Sequence, residues 1–275
     1  MKTYNSSMFA SIKQALTKDE KSNARKDILR FAPGNTYTVR ILPNVDDPAK
    51  TFFHYFQIGW KSFATGQYIS LVSPSTFGER DPIAEERYKI NRSGSEADKE
   101  KAKAIIRSEK WLVNAYIIDD PVNPENKGTV KILRYGKQLH KVIDAAINGD
   151  DSAEFGSKLF DLSKDGVNLK IKCESQGEYP TFVSSRFTSP SDLHLSPEKI
   201  SDIYGSICDL ESAISVRTYD ELVSTYKDHY LVLDSINTVA TVSAPKQSNV
   251  VSVVSVDEVD SSINDAEVDA MLKDL

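Results

Sequence analysis

The sequence predicts a β-rich α+β protein, and three observations lead to that class. Residues 36–42 and 167–173 alternate apolar and polar side chains, as half-buried strands do. Two further strand-like runs, 111–118 and 129–135, flank a loop of Asp, Asn, Pro and Gly, which are turn-forming residues. Apolar residues at three- and four-residue spacing predict helices after Gly136 and after Pro197.

The predicted elements begin with a basic arm, residues 1–30, which contains a helix capped by Ser7. The core is predicted to span residues 31–236, with strands at 36–42, 52–58, 67–72, 111–118, 129–135, 167–173 and 181–187. A polar insertion, 73–106, should hold a charged helix capped at Ser95. A short helix is expected at 151–162. Two helices are expected from Pro197, the first with the apolar stripe Ile200, Ile203, Ile207, Leu210 and Ile214.

The end of the chain is predicted to lie outside the core. Residues 237–256 are rich in Ser, Val, Thr and Asn and are expected to form a linker. Residues 257–275 are acidic, with apolar residues at the spacing of an amphipathic helix that could dock on a partner. The candidate partner-binding residues of this tail are Met271, Leu272, Asp274 and Leu275.

Charge and composition exclude several classes of protein. The net charge is −6, and residues 237–275 alone carry −5, so the rest of the chain is nearly neutral. Any nucleic-acid site must then be a local cationic groove. No run of about 18 apolar residues predicts a membrane span, and no secretion signal is expected. Cys173 and Cys208 lie far apart and fit a reducing cytoplasm. The sequence contains no phosphate-binding loop and no catalytic constellation, so we expect a protein without enzymatic activity.

The predicted strand 129–135 and the residues just after it contain cations and an aromatic ring close together. Lys131, Arg134, Tyr135 and Lys137 lie within seven residues. A single nucleic-acid strand needs cations for its phosphates and aromatic rings for its bases. The alternative interpretation is an ordinary solvated strand face.

The same region resembles a known family. The segment from Asp120 to Val130 reads Asp-Pro-x-x-Pro-Glu-Asn-x-Gly-x-Val, and an Arg-Tyr-Gly-Lys step at 134–137 follows it. This block is similar to the replication single-stranded-DNA-binding (helix-destabilising) proteins of T-even-type bacteriophages. The resemblance implies a five-stranded Greek-key barrel of the oligonucleotide-binding (OB) type. It also implies sequence-independent, cooperative coating of single-stranded DNA in replication, recombination and repair, in the cytoplasm of the infected bacterial host.

The resemblance also implies site residues and partners. The expected base-stacking residues are Trp60, Tyr68, Trp111, Tyr135, Tyr179 and Phe182, although core packing is the alternative role of each ring. The expected phosphate-binding residues are Lys61, Arg107, Lys110, Lys131, Arg134, Lys137 and Arg186. The basic arm should mediate self-association along DNA, and the acidic tail should recruit replication and recombination proteins.

One departure from the family concerns metal. Family members usually hold zinc with one His and three Cys, but here those positions fall on or near Ile58, Val72 and the 81–84 segment, Asp-Pro-Ile-Ala. We therefore expect no zinc, no other cofactor, and an insertion subdomain that is held by packing or is looser than in relatives. Two other functions stay open: a virion structural or assembly protein with an acidic docking tail, and an RNA-binding regulator.

Overall fold

The computed structural model describes residues 27–177 and 179–231 of the 275-residue chain. The predictions for most of the basic arm, the linker and the acidic tail therefore lie outside the described residues. The described chain divides into two compact units. Unit 1 contains residues 27–53 and 111–214, and unit 2 contains residues 54–110 and 215–231. None of the described helices is both long and apolar enough to cross a membrane.

The described residues form eight strands and five α-helices. The strands are β1 Asn35–Leu42, β2 Phe52–Lys61, β3 Tyr68–Val72, β4 Arg107–Asp119, β5 Val130–Tyr135, β6 Leu169–Gln176, β7 Tyr179–Thr181 and β8 Arg186–Phe187. The helices are α1 Pro82–Ser93, α2 Glu96–Ala102, α3 Lys137–Asn148, α4 Pro197–Gly205 and α5 Tyr219–His229. This content confirms the predicted β-rich α+β class.

The strands follow the hydrogen-bonded order β3-β2-β4-β1-β6-β7, with β5 also paired to β4 and β8 also paired to β6. Strand β1 is antiparallel to both neighbours, with Ile41 opposite Ala115 of β4 and Tyr37 opposite Ile171 of β6. The path is open, since β3 and β7 stand at its two ends among the described residues. The five-stranded Greek-key barrel of the OB type therefore stays a prediction.

Side chains alternate between the two faces of each strand, so every second residue of the central strands lies in the core of unit 1. Residues of one parity on β1, β4 and β6 point to a shared apolar interior, which α3 covers with Leu139, Ile143 and Ala146. The strand residues of this core are Tyr37, Val39, Ile41, Trp111, Val113, Ala115, Ile117, Leu169, Ile171 and Cys173. Cys173 is thus the core residue that its alternation predicted.

Arg40 lies on the other face of β1 from Tyr37, Val39 and Ile41. Its side chain is fully buried and hydrogen-bonds two loops to the sheet of unit 1. Its Nε and Nη2 donate to Asn168 Oδ1 at 2.9 and 2.7 Å, and Nη2 also donates to the carbonyl of Ser191 at 2.8 Å. Its Nη1 donates to the carbonyls of Asp161 and Ser163 at 3.2 and 2.9 Å. Burial lowers the pKa of this guanidinium. The many acceptors compensate for the removal of the charge from water.

Unit 2 joins the β2–β3 pair to α1 and α5 through a second apolar core. The members of this core are Ile58, Trp60, Leu71, Ile83, Ile105, Leu222, Tyr226 and Tyr230. Capping side chains define where α1 and α2 begin. Asp81 caps α1 by accepting from the Ile83 amide at 2.9 Å, and Ser95 forms a capping box with Asp98 at the start of α2. The predicted Ser95 cap is therefore confirmed, whereas α1 was missed despite its Asp-Pro start signal.

Three local predictions are wrong. The single strand at 181–187 is two short strands, because Phe182 and Ser185 close a turn and the Ser185 hydroxyl accepts from the Lys172 amide at 3.1 Å. The helix at 151–162 is two 3-10 turns. Helix α4 ends at Gly205, so the later part of the predicted stripe is not helical. There the Asn114 side chain binds the backbone of Cys208, donating to its carbonyl and accepting from its amide at 2.9 Å each.

Candidate nucleic-acid interface

In unit 1 the central aromatic candidates form a buried stack. Trp111 lies directly opposite Tyr135 in the β4–β5 register, with ring centroids 6.1 Å apart. The Trp111 ring also stacks on His140 of α3, with centroids 3.8 Å apart and planes 5° apart. The Tyr135 hydroxyl has no hydrogen-bond partner among the described residues, and burial raises the pKa of Tyr135. Neither candidate ring presents a face to a base in this arrangement.

The predicted cations of β5 do not share one surface. Lys131 and Arg134 are three positions apart, so strand alternation puts them on opposite faces. Lys131 Nζ lies 3.7 Å from a carboxylate oxygen of Asp27. Arg134 and Lys137 are half-buried, and Lys137 begins α3. The structure therefore brings the rings of this block together but separates its charges.

The β6–β8 region of unit 1 presents the more accessible charges. Arg186 is exposed and lies directly opposite Lys170 in register. Like charges facing each other across two strands destabilise a sheet, and a bound polyanion would relieve that cost. Lys170 and Lys172, both exposed, were not among the sequence candidates, although the Leu-Lys-Ile-Lys-Cys alternation at 169–173 signals them.

The two aromatic candidates of this region differ in access. Tyr179 is 51% exposed, whereas Phe182 is buried. The Phe182 ring packs edge-on against Phe31, with centroids 5.3 Å apart, and its amide donates to Gln138 Oε1 at 2.8 Å. Phe182 therefore packs in the core beside the turn, and Tyr179 is the more exposed of the two rings.

In unit 2 the structure places a predicted cation directly beside a predicted aromatic ring. Lys61 and Tyr68 are cross-strand partners on β2 and β3, and both are exposed, Tyr68 by 45%. The Tyr68 ring lies over Gly59, since a Cβ at Gly59 would stand 2.2 Å from the Tyr68 hydroxyl. Trp60, in contrast, is buried in the apolar core, and its Nε1 donates to the His229 carbonyl at 3.4 Å.

The start of β4 carries the last two cationic candidates. Lys110 is buried. Arg107 is half-buried, and its Nη1 donates to Ser75 Oγ at 2.6 Å. Its guanidinium carbon lies 4.1 Å from the centroid of the Phe56 ring. Burial lowers the pKa of Arg107. The nearby carboxylate of Asp81 opposes this shift, because a negative charge favours the protonated guanidinium. Phe56 was not a sequence candidate.

The residues at the family's zinc positions do not fit a zinc ion. Ile58 is a core residue, and Val72 ends β3. Asp81 is occupied as a cap: its Oδ1 accepts from the amides of Ile83 and Ala84, and its Oδ2 accepts from the Ser73 hydroxyl. Among the described residues no group of three or more His, Cys, Asp or Glu is placed to hold a metal. A structural zinc needs four such ligands.

Comparisons with known proteins agree with the DNA-binding interpretation. A family model described as "gp32 DNA binding protein like" matches residues 34–230. Two relatives, each named single-stranded DNA-binding protein, come from Enterobacteria phages T4 and T2. Each is 25% identical to this chain over 157 residues, which is 56% of this chain and 51% of the relative. The chain thus spans about half the length of the curated relatives it matches.

Proposed function

The chain belongs to the gp32-like family of DNA-binding proteins, and on that premise we propose that it binds single-stranded DNA without reading base sequence. The resemblance that the central block indicated is confirmed by the family match. The matched residues, 34–230, include all thirteen DNA-binding candidates. The proposed role is to coat and protect single strands during phage DNA replication, recombination and repair.

The observation that carries the proposal is the Lys61–Tyr68 pair of unit 2. An exposed ammonium group and an exposed phenol ring lie on adjacent strands in direct register. Phosphate attraction and base stacking are the two interactions that bind a single strand regardless of sequence. Gly59 has no side chain and so leaves room for the Tyr68 ring to lie on β2.

The thirteen candidates divide by exposure into two groups. We assign direct contact with DNA to the exposed and half-buried residues Lys61, Tyr68, Arg107, Lys131, Arg134, Lys137, Tyr179 and Arg186. We assign a supporting role in the fold to the buried residues Trp60, Lys110, Trp111, Tyr135 and Phe182. Lys170 joins the first group because it is exposed and lies opposite Arg186, whereas Lys172 is paired with Glu174 at 2.7 Å.

The remaining features of the proposal concern the whole protein. Its sheet would form an open version of the OB-type Greek-key barrel, and the protein would act without catalysis or zinc inside the infected bacterium. The basic arm would bind a neighbouring copy. The acidic tail would compete with DNA for the cationic surface and dock replication proteins through Met271, Leu272, Asp274 and Leu275.

A fluorescence titration tests the proposal. The full chain is titrated with oligothymidylate, a duplex of equal length and the corresponding RNA at several salt concentrations. We expect tightest binding to oligothymidylate and a slope of about −0.7 in log affinity against log salt for each phosphate contact. Equal affinity for the duplex, or no binding, would favour the virion assembly role. Tighter binding to RNA would favour an RNA-binding regulator.

A further inference from the structure

We infer that Arg107 binds a DNA base by stacking, with Phe56 as the ring that holds its guanidinium flat. The inference rests on the proposed binding of single-stranded DNA and assigns a separate subsite within it. This subsite consists of His54, Phe56 and Arg107 of unit 2, of which only Arg107 was a candidate from sequence. Strand alternation places Phe56 on the opposite face of β2 from Lys61, so the two subsites can be tested separately.

The guanidinium of Arg107 is held in a defined orientation. Its central carbon lies 4.1 Å from the Phe56 ring centroid, the distance of a cation–π contact. One of its nitrogens donates to Ser75 Oγ at 2.6 Å, which fixes the rotation of the group. The Phe56 backbone is itself anchored, because its amide donates to Thr76 Oγ1 at 2.9 Å. The Ser75–Thr76 step thus positions both members of the pair.

Phe56 has an aromatic neighbour, His54, whose Nε2 lies 3.7 Å from a carboxylate oxygen of Glu109. Phe56 and His54 project from the same side of β2, and their rings meet edge to face with centroids 4.9 Å apart. The intervening Tyr55 is buried on the other side, while Phe56 stays half-buried and His54 is exposed. An apolar ring left partly in water beside a cation is a surface that a base can cover with gain of buried area.

A planar guanidinium can stack on a ring, whereas an ammonium group cannot. Arginine stacks on aromatic faces through its delocalised plane, whereas lysine acts as a compact, strongly hydrated point charge. Splayed bases of single-stranded RNA stack on aromatic rings and on arginine planes, and proteins that bind single-stranded DNA combine aromatic stacking with cation–π contributions from arginine. A contact that served phosphate alone would need only the charge. The Phe56 ring behind the guanidinium therefore favours a stacking role, and Arg107→Lys separates that role from a phosphate role.

The decisive variant is Arg107→Lys, which keeps the charge and removes the plane. Binding is measured to oligothymidylate and to an abasic strand of equal length, which keeps the phosphates and lacks the bases. We expect Arg107→Lys to lose about 5-fold or more of its affinity for oligothymidylate. Its affinity for the abasic strand and its salt slope should match those of the unmodified chain. Phe56→Leu should behave in the same way, since it removes the backing ring but no charge.

The matched control is Arg92→Lys. Arg92 lies over the exposed Tyr88 ring at 5.5 Å in the same unit, on helix α1, and should show no loss on either strand. Equal losses on the two strands for Arg107→Lys, or no loss for both Arg107→Lys and Phe56→Leu, would overturn the stacking role. If the unmodified chain bound neither strand, the proposed function itself would fail. Urea unfolding of each variant identifies any loss caused by a damaged fold.

Discussion

We expect the stability of unit 2 to come from apolar packing around Leu222 and not from a bound metal ion. Leu222 of α5 is 1% exposed and lies in the core with Ile58, Leu71 and Ile83. The helix that carries it is distant in sequence from the strands that it covers. Replacing a fully buried Leu by Ala removes its transfer free energy and leaves a cavity, at a total cost of about 2–5 kcal/mol. The perturbation is therefore Leu222→Ala.

The two tryptophans of the chain allow each unit to be followed by itself, because Trp60 lies in unit 2 and Trp111 in unit 1. In a Trp111→Phe background, urea unfolding by fluorescence reports the surroundings of Trp60. With a urea dependence of about 2 kcal/mol per molar, Leu222→Ala should lower the midpoint by roughly 1 M or more.

The control for this experiment is Leu231→Ala, the same chemical change at a residue that is 46% exposed. Its effect should stay within about 0.5 kcal/mol. A chelator should leave the midpoint of the unmodified chain unchanged, since the residues at the family's zinc positions do not fit the ion. A midpoint that falls with chelator, or a Leu222→Ala midpoint equal to that of the control, would refute the reasoning.

Four further predictions follow from particular residues and segments. Gly59→Ala, whose Cβ would stand 2.2 Å from the Tyr68 hydroxyl, should displace that ring and weaken oligothymidylate binding about 5-fold or more without loss of thermal stability; unchanged affinity would contradict the role of Tyr68. Gly166→Ala, whose Cβ would stand 1.8 Å from the Asp161 carbonyl oxygen and 2.8 Å from Arg40 Nη1, should lower the free energy of unfolding by about 3 kcal/mol or more by calorimetry. A loss below about 1 kcal/mol would show that the loop adapts. Deleting residues 1–20 should reduce affinity for long strands and spare short oligonucleotides, whereas equal losses would assign the arm to the core. Deleting residues 257–275 should strengthen DNA binding at low salt, where competition by the acidic tail is strongest; unchanged affinity there would exclude masking by the tail.

Much of the fold could be predicted from local sequence. Alternation at 36–42 and 167–173 predicted β1 and β6, and the Asp-Asn-Pro-Gly loop separated β4 from β5. The Ser95 cap predicted the start of α2. These features are local, because backbone dihedral preferences and side-chain periodicity act between near neighbours. The central block also identified the family that the comparison confirmed.

Local signals failed where a distant residue competed for the backbone. The predicted stripe beyond Gly205 is not helical, because Asn114 of β4 takes the hydrogen bonds of the Cys208 backbone. The strand predicted at 181–187 is interrupted where Ser185 supplies a hydroxyl in place of a backbone acceptor. Each competing group lies far away in sequence or acts through its side chain, so no periodic pattern records it.

The candidate site shows the same division. By itself the sequence indicated Lys, Arg and aromatic residues as candidates for contact with a single strand, and it assigned most of them to strands. Only the tertiary structure decided that Trp111 and Tyr135 are covered while Tyr68 is open, and that Phe56 stands beneath Arg107. Alternation states which residues share a face of a strand but not which face another element will bury. That choice depends on contacts such as those of α5 with the unit 2 core, which join residues more than a hundred positions apart.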